Sequence, residues 1–248
     1  MPKVFPNLEE LNNFAAEKFI EIGNDAIEKS DRFTVALAGG STPKALYRLL
    51  ASEKYKNKIA WSSVFFFFGD ERNVLPDDAD SNFRMANENL FEPLEIFPQN
   101  VFRWETEFED AAAIAGDYET KIMDFFDLRD GEFPKFDLIL LGMGDDGHTA
   151  SLFPFTDALN ETARIAVENK VEKLETVRLT LTFPAINNAE NVFFLVKGAD
   201  KSETLKQVLE GDFEPLRFPS QNVQPTSGNL FWLSDSEAAE LLENEKKF

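Results

Sequence analysis

The sequence predicts an α/β fold: a mostly parallel, helix-covered sheet with a smaller antiparallel addition. Three observations carry that expectation. Short apolar runs of strand length alternate with amphipathic segments of helix length along the chain, the pattern of strand–helix–strand units in a parallel sheet. Several runs, among them Phe65–Phe68, Leu138–Leu141 and Asn191–Val196, hold almost no polar residue, as strands covered on both faces require. Val177–Phe183 instead alternates polar with apolar residues, as a half-buried antiparallel strand does. No linker, repeat or low-complexity stretch breaks the series, so residues 1–248 read as one domain with a Rossmann-like sheet.

The elements follow in order. Leu8, Leu11, Ala15, Phe19, Ile22 and Ile27 keep to one face of a helix running from Asn7 to about Ser30. Asn7 suits its cap, with Glu10 three residues on as in a capping box. Phe33–Ala38 is a strand, and Lys44–Leu50 a helix that Ser41 or Thr42 caps, with Pro43 at its first position. Trp61–Phe68 is a buried strand ending in the charged turn Gly69-Asp70-Glu71-Arg72-Asn73. The acidic stretch Asp77–Asn82 lacks the glycine and distal glutamate of a calcium loop; Asp80 or Ser81 there caps a helix through Phe83, Ala86 and Leu90. Pro93–Trp104 connects to a helix over Asp110–Leu128, and a strand containing Leu138–Leu141 follows. Ala163–Val167 and Val177–Phe183 form the antiparallel addition, and Pro184–Asn188 a short helix or turn. Asn191–Val196 is a strand that passes through Gly198-Ala199-Asp200 into a helix with Lys201 in its first turn. After a loop over Phe213–Pro225, Leu230–Leu233 is the last strand, and Ser234 or Asp235 caps a terminal helix.

Composition narrows the function. The net charge of −20, from 45 acidic and 25 basic residues, repels nucleic acid and anionic membranes, so neither is expected as a partner. No run reaches the about 18 apolar residues of a membrane span, and the first residues do not form a signal peptide. The absence of cysteine excludes disulfides, thiolate catalysis and Cys-bound zinc. With one histidine and no carboxylate cluster of metal-site spacing, no metal and no cofactor is expected. The chain reads as cytoplasmic, a monomer or weak homodimer, acting on a small molecule.

Three strand exits hold the candidate chemistry, because open α/β sheets bind ligands at the carboxyl ends of their strands. At the first, Gly39-Gly40-Ser41-Thr42-Pro43 brings a flexible backbone to a helix start, where unpaired N–H groups and the helix dipole favour an anion such as phosphate. Its spacing is neither that of a Walker A loop nor that of a dinucleotide turn. At the second, Asp70 and Arg72 follow the phenylalanine-rich strand. At the third, Gly142-Met143-Gly144-Asp145-Asp146-Gly147-His148 carries the single histidine, the side chain whose ordinary pKa lies nearest neutrality. Lys201 also stands at a helix N-terminus, where a cation opposes the dipole and is better explained by a ligand.

Ala38-Gly39-Gly40-Ser41-Thr42-Pro43, Gly69-Asp70-Glu71-Arg72 and Gly142–Pro154, in this order and spacing, resemble the 6-phosphogluconolactonases. Arg178–Thr182, Gly198-Ala199-Asp200-Lys201 and Trp232–Asp235 extend the resemblance over nearly the full chain. It implies the fold of glucosamine-6-phosphate deaminases, related to ribose-5-phosphate isomerase and CoA transferase-like proteins, and hydrolysis of 6-phospho-D-glucono-1,5-lactone. The deaminases share the Asp-Gly-His element but continue with Phe-Asn-Glu-Pro. Here Ser151-Leu152-Phe153-Pro154 stands in that place without the carboxylate used for ring opening, which favours the lactonase. A non-catalytic sugar-phosphate sensor lacks support, because neither a helix-turn-helix segment nor a basic surface is present. The roles implied are His148 as general base, Asp146 or Asp70 orienting it, and backbone N–H groups or Arg72 facing the oxyanion. Gly40, Ser41 and Thr42 hold the phosphate, clamped by Arg178 and Lys201. Of Asp145 and Asp146, only one is expected to face the substrate.

Overall fold

The structure, a computed structural model, describes residues 2–108, 110–243 and 246–247. In chain order, β1 (Lys3–Phe5) leads to α1 (Leu8–Ser30), β2 (Phe33–Leu37) to α2 (Ser41–Leu50), and β3 (Val64–Phe68) to β4 (Asp70–Arg72). Then come α3 (Asn82–Ala86), which runs on into a wider turn over Asn87–Phe91, α4 (Ala111–Phe126) and β5 (Leu138–Leu141). The remaining elements are β6 (Ala166–Val171), β7 (Thr176–Leu181), α5 (Phe183–Asn187), β8 (Asn191–Val196), α6 (Ser202–Glu210), β9 (Asn229–Asp235) and β10 (Lys246–Lys247).

Seven strands form one parallel sheet in the order β10-β1-β9-β8-β5-β2-β3. Its central strands are buried along their whole length: Phe33–Leu37, Leu138–Leu141 and Asn191–Val196 are closed to solvent on both faces. This is the reason those runs carry almost no polar side chain. The two polar exceptions are both satisfied at Asp137: the Thr34 hydroxyl donates to its Oδ2 at 2.6 Å, and Asn191 Nδ2 donates to its carbonyl at 2.9 Å. The consecutive phenylalanines of β3 anchor an aromatic cluster, in which Phe67 stacks on Phe102 at 4.6 Å and meets Phe125 and Phe136 edge-on.

From β2 the sheet grows outward to β3 on one side and to β5, β8 and β9 on the other. The crevice therefore opens between β2 and β5, where neighbouring connections part in opposite directions. Two tyrosines finish the strand ends beside it. Tyr47 Oη accepts the Ala38 N–H at 3.0 Å and donates to the Ala38 carbonyl at 2.8 Å. Tyr118 Oη does the same for Phe68, at 2.7 and 3.0 Å. Each hydroxyl pairs backbone groups that the strand ladder no longer reaches.

The antiparallel addition is a second sheet, β4-β7-β6. Gly69 joins the two sheets, its N–H donating to Leu37 of the large sheet and its carbonyl accepting from Leu181 of the small one. Asp70, Glu71 and Arg72, expected as a turn, are thus a strand, paired with Thr180, Leu179 and Arg178.

Other details depart from expectation. The cap of α2 is Gly40, with φ at +101°, and neither Ser41 nor Thr42 caps the helix through its side chain. That conformation suits a residue without Cβ. Trp61–Ser63 forms a tight helical turn before β3, and β6 lies later than Ala163–Val167. The terminal helix is absent from the described residues, and turns follow β9. There the Asp235 carboxylate accepts N–H groups from Ala238 and from Gly198, at 2.9 and 3.0 Å, so it closes a turn and ties β9 to the exit of β8. Asn7 caps α1 as expected, its side chain accepting the Glu10 N–H at 3.0 Å.

Candidate active site

His148 stands in the loop after β5, at the mouth of the crevice. The loop folds back on itself, with the Gly144 N–H donating to the His148 carbonyl at 2.9 Å and the Gly147 N–H to the Gly144 carbonyl at 3.2 Å. A Cβ on Gly144 would lie 2.1 Å from His148 Nδ1 and 2.9 Å from Asp146 Oδ1. Glycine at this position is what allows the imidazole to sit against the loop's own backbone.

The imidazole is held on two sides. Nδ1 meets Asp146 Oδ1 at 2.5 Å, and one ring face stacks on Phe153 at 4.0 Å. A carboxylate can only accept, so Nδ1 carries a proton, and in the neutral ring it is Nε2 that presents the lone pair. The other carboxylate oxygen, Oδ2, is bonded by Lys173 Nζ. Burial by itself would raise the Asp146 carboxyl, but the hydrogen bonds from His148 and Lys173 outweigh it and hold the group well below the usual carboxylate range. Asp146 is therefore a fixed negative charge behind the ring, whereas Asp145 is exposed.

Asp70 lies apart from this pair. Only 8% exposed, it accepts from Ser151 Oγ at 2.7 Å and from Asn82 Nδ2 at 3.2 Å. Of the two aspartates considered as partners of the imidazole, it is Asp146 that bonds it. Alternation along β4 separates the roles of its side chains. Asp70 and Arg72 line the cleft with His148, while Glu71 turns inward to the start of α3. There it accepts the N–H groups of Arg72, Asn82 and Phe83, at 2.7 to 2.8 Å, and the Ser81 hydroxyl at 3.2 Å. Burial pushes the Glu71 carboxyl up, partly offset by those donors.

Arg178 and Arg72 are cross-strand partners. Two guanidinium groups at directly opposed positions repel each other, so their pairing needs another explanation. Arg72 binds the Asp80 carbonyl. Arg178 is partly buried, its guanidinium pulled down by burial and by the neighbouring Arg72, and its buried Nε has no hydrogen-bond partner among the described residues. An anion would relieve both conditions. The cleft that holds His148, Asp70 and both arginines measures about 370 Å³.

The family described as glucosamine-6-phosphate isomerases/6-phosphogluconolactonase matches the sequence over residues 6–232. The chain belongs to that family. It is 44% identical to a 6-phosphogluconolactonase of Nostoc sp., over 86% of each chain, and 43% identical to one of Synechocystis sp., over 88% of each. A 6-phosphogluconolactonase structure from Trypanosoma cruzi superposes with a TM-score of 0.87 at 31% identity, covering 98% of both chains.

In this member of the glucosamine-6-phosphate isomerase/6-phosphogluconolactonase family the expected phosphate groups are divided. Gly40, Ser41, Thr42 and Lys201 line a second cleft of about 350 Å³, which meets the first along Gly39, Gly40, Gly142 and Met143. Arg178 belongs to the first cleft, so the expected clamp of Arg178 and Lys201 spans two adjoining clefts. Lys201 has Asp200 Oδ2 at 3.4 Å. Lys173, Asn82 and the contact of Ser151 with Asp70 are not legible in the sequence. Lys173 sits in an ordinary charged turn, Glu172-Lys173-Leu174-Glu175, and only the hairpin's return over the cleft brings it to Asp146. Asn82 packs against Gly39, where a Cβ would fall 2.0 Å from its Oδ1.

Proposed function

We infer that this chain is a 6-phosphogluconolactonase, a lactone hydrolase that converts 6-phospho-D-glucono-1,5-lactone to 6-phospho-D-gluconate in the oxidative pentose phosphate pathway. Relatives of that name at 43 to 44% identity over most of the chain support the activity. The observation that carries the mechanism is the His148–Asp146 contact in a cleft also lined by two arginines. A lactone carbonyl is already electrophilic, so an activated water suffices and no covalent nucleophile is needed.

His148 Nε2 takes a proton as the water oxygen bonds to the lactone carbonyl carbon. The carbonyl electron pair moves onto its oxygen, and backbone N–H groups of the glycine-rich turns or Arg72 stabilise that charge. When the carbonyl re-forms, the bond to the ring oxygen breaks, and the His148 proton passes to that oxygen as it becomes a hydroxyl. Asp146 keeps Nδ1 protonated and stabilises the imidazolium between the two transfers. Asp70 stands further along the cleft wall, where Ser151 and Asn82 fix its carboxylate. The phosphate is held at Gly40, Ser41 and Thr42 with Lys201, and Arg178 reaches it from the adjoining cleft. The fixed positive charges are local exceptions on a chain of net charge −20.

The test uses freshly generated lactone and subtracts spontaneous opening. The wild-type protein accelerates hydrolysis, and His148→Ala loses about 10²- to 10⁴-fold in kcat. Unchanged turnover in that variant rules out the mechanism, and ammonia release from glucosamine 6-phosphate points to the deaminase instead. No described helix is long and apolar enough to cross a membrane. A cytoplasmic location fits the cysteine-free composition, and cell fractionation checks it. A monomer or weak homodimer is the assembly to test by sedimentation.

A further inference from the structure

Asp146, the partner of the general base, has a partner of its own that the mechanism above leaves unused. The turn between β6 and β7, Glu172–Leu174, carries Lys173 and Leu174 to the wall of the His148 cleft. Lys173 bonds Asp146 Oδ2 while Asp146 Oδ1 bonds the imidazole, so the carboxylate bridges a lysine and a histidine. Asp146 Oδ1 also accepts the His148 backbone N–H at 3.2 Å. The carboxylate plane is thus set from three directions, one of them 27 residues away in sequence. On packing grounds alone such a lysine is unremarkable, since its side chain is 59% exposed. Its place at the far oxygen of the histidine's own partner is what distinguishes it.

We propose that Lys173 is a positioning residue for hydrolysis: its bond to Asp146 Oδ2 turns Oδ1 to the imidazole and limits how strongly His148 holds a proton. This rests on His148 being the base. The sign follows from charge. Lys173 is a cation near the ring, and it draws on the Asp146 charge that would otherwise stabilise imidazolium. Without it the His148 N–H still holds Asp146 Oδ1 beside the ring, so the two charge effects set the sign: both favour protonated His148, and less of the base is free at mildly acid pH.

Other charged groups around the ring stay constant in the comparison. Asp145 lies on the same loop, Asp70 and Arg72 on β4, and Arg178 on β7. Asp157, Lys170 and Glu172 line the groove on the other side of Asp146, and Asp200 and Lys201 the second cleft. None of them has a hydrogen bond to Asp146 among the described residues, so Lys173 is the cation whose loss acts directly.

Because His148 is the only histidine, its imidazole proton resonance needs no assignment, and its titration is read by NMR without substrate. In Lys173→Met the midpoint rises by about half a pH unit or more, and in Lys173→Arg it stays at the wild-type value. The acid limb of kcat/KM moves with it, so activity at pH 6 relative to pH 8 falls about threefold in Lys173→Met, the factor that half a unit represents. A purely structural lysine would lower activity equally at both pH values. A Lys173→Met protein that titrates and turns over with the wild-type pH dependence overturns the proposal. Failure of the wild type to accelerate lactone opening overturns the lactonase reading instead, and the NMR titration still decides whether Lys173 governs His148.

Discussion

The two sheets of this protein divide frame from chemistry. The large parallel sheet is a stack of apolar strands that holds the crevice open between β2 and β5. The small sheet buries Ala166, Leu179 and Leu181 on one side, and its strands and the turn between β6 and β7 supply Asp70, Arg72, Lys173 and Arg178 to one cleft. The parallel sheet provides a rigid edge and backbone-rich loops, and the antiparallel hairpin brings cations across to face them. In a strongly acidic chain this second task cannot be left to the average surface, which repels an anionic substrate.

The contrast predicts different failures in the two regions. Phe67 is fully buried and contacts Phe102, Phe125 and Phe136 within 4.6 to 5.2 Å. Phe67→Ala therefore costs about 3–5 kcal/mol of stability, a large share of the about 5–15 kcal/mol of a typical domain. The molecules that remain folded keep near-normal kcat, because the ring lies away from the cleft. Urea unfolding beside turnover measured below the transition checks both parts. Loss of kcat with unchanged stability would break the division of labour.

The same division separates what the sequence revealed from what it hid. Asn191–Val196 was read to the residue, and the strand containing Leu138–Leu141 was located, because a strand buried on both faces must be apolar almost throughout. The α1 start was legible because Asn7 and Glu10 are a local signal three residues apart. Asp70–Arg72 was not, since three charged residues have no strand pattern until β7 supplies partners. Asp146 and Asp70 were equally plausible neighbours of His148 on paper. The loop's turn at Gly144 and Gly147 settles the matter by bringing Asp146 back to Nδ1. The terminal helix failed because the Asp235 carboxylate, a good cap by type, also holds Gly198 across the sheet. Long-range partners decided the strand and the terminus, and a local turn decided between the aspartates.

An intermediate effect belongs to Arg178. Its Nε lacks a protein partner and it stands opposite Arg72, so removing it takes away an anion ligand and relieves repulsion. Arg178→Ala raises KM by about 10- to 100-fold, the range that one or two charge-assisted hydrogen bonds represent, with kcat changed much less. Folding is unaffected or slightly improved. An equal fall in kcat and kcat/KM would place Arg178 at the transition state and not at the phosphate, transferring the oxyanion role from Arg72 to its neighbour.

The smallest effect is a slope. The Asp146 carboxyl is held below its ordinary range by His148 and Lys173 against the opposing effect of burial. A carboxyl depressed in the folded state stabilises the fold at pH values above its unfolded pKa, about 3.9, and that contribution fades as pH falls further. Asp146→Asn cannot titrate, so its stability changes less than the wild type's between about pH 5 and pH 3. Phe67→Ala, by contrast, shifts stability by the same amount at both pH values, because a lost aromatic contact binds no proton. Unfolding of the two variants at these two pH values therefore separates the aromatic core from the site thermodynamically, one as an offset and the other as a change in pH dependence. Parallel curves for Asp146→Asn and the wild type would mean that the His148–Asp146–Lys173 contacts add no net charge stabilisation to the fold.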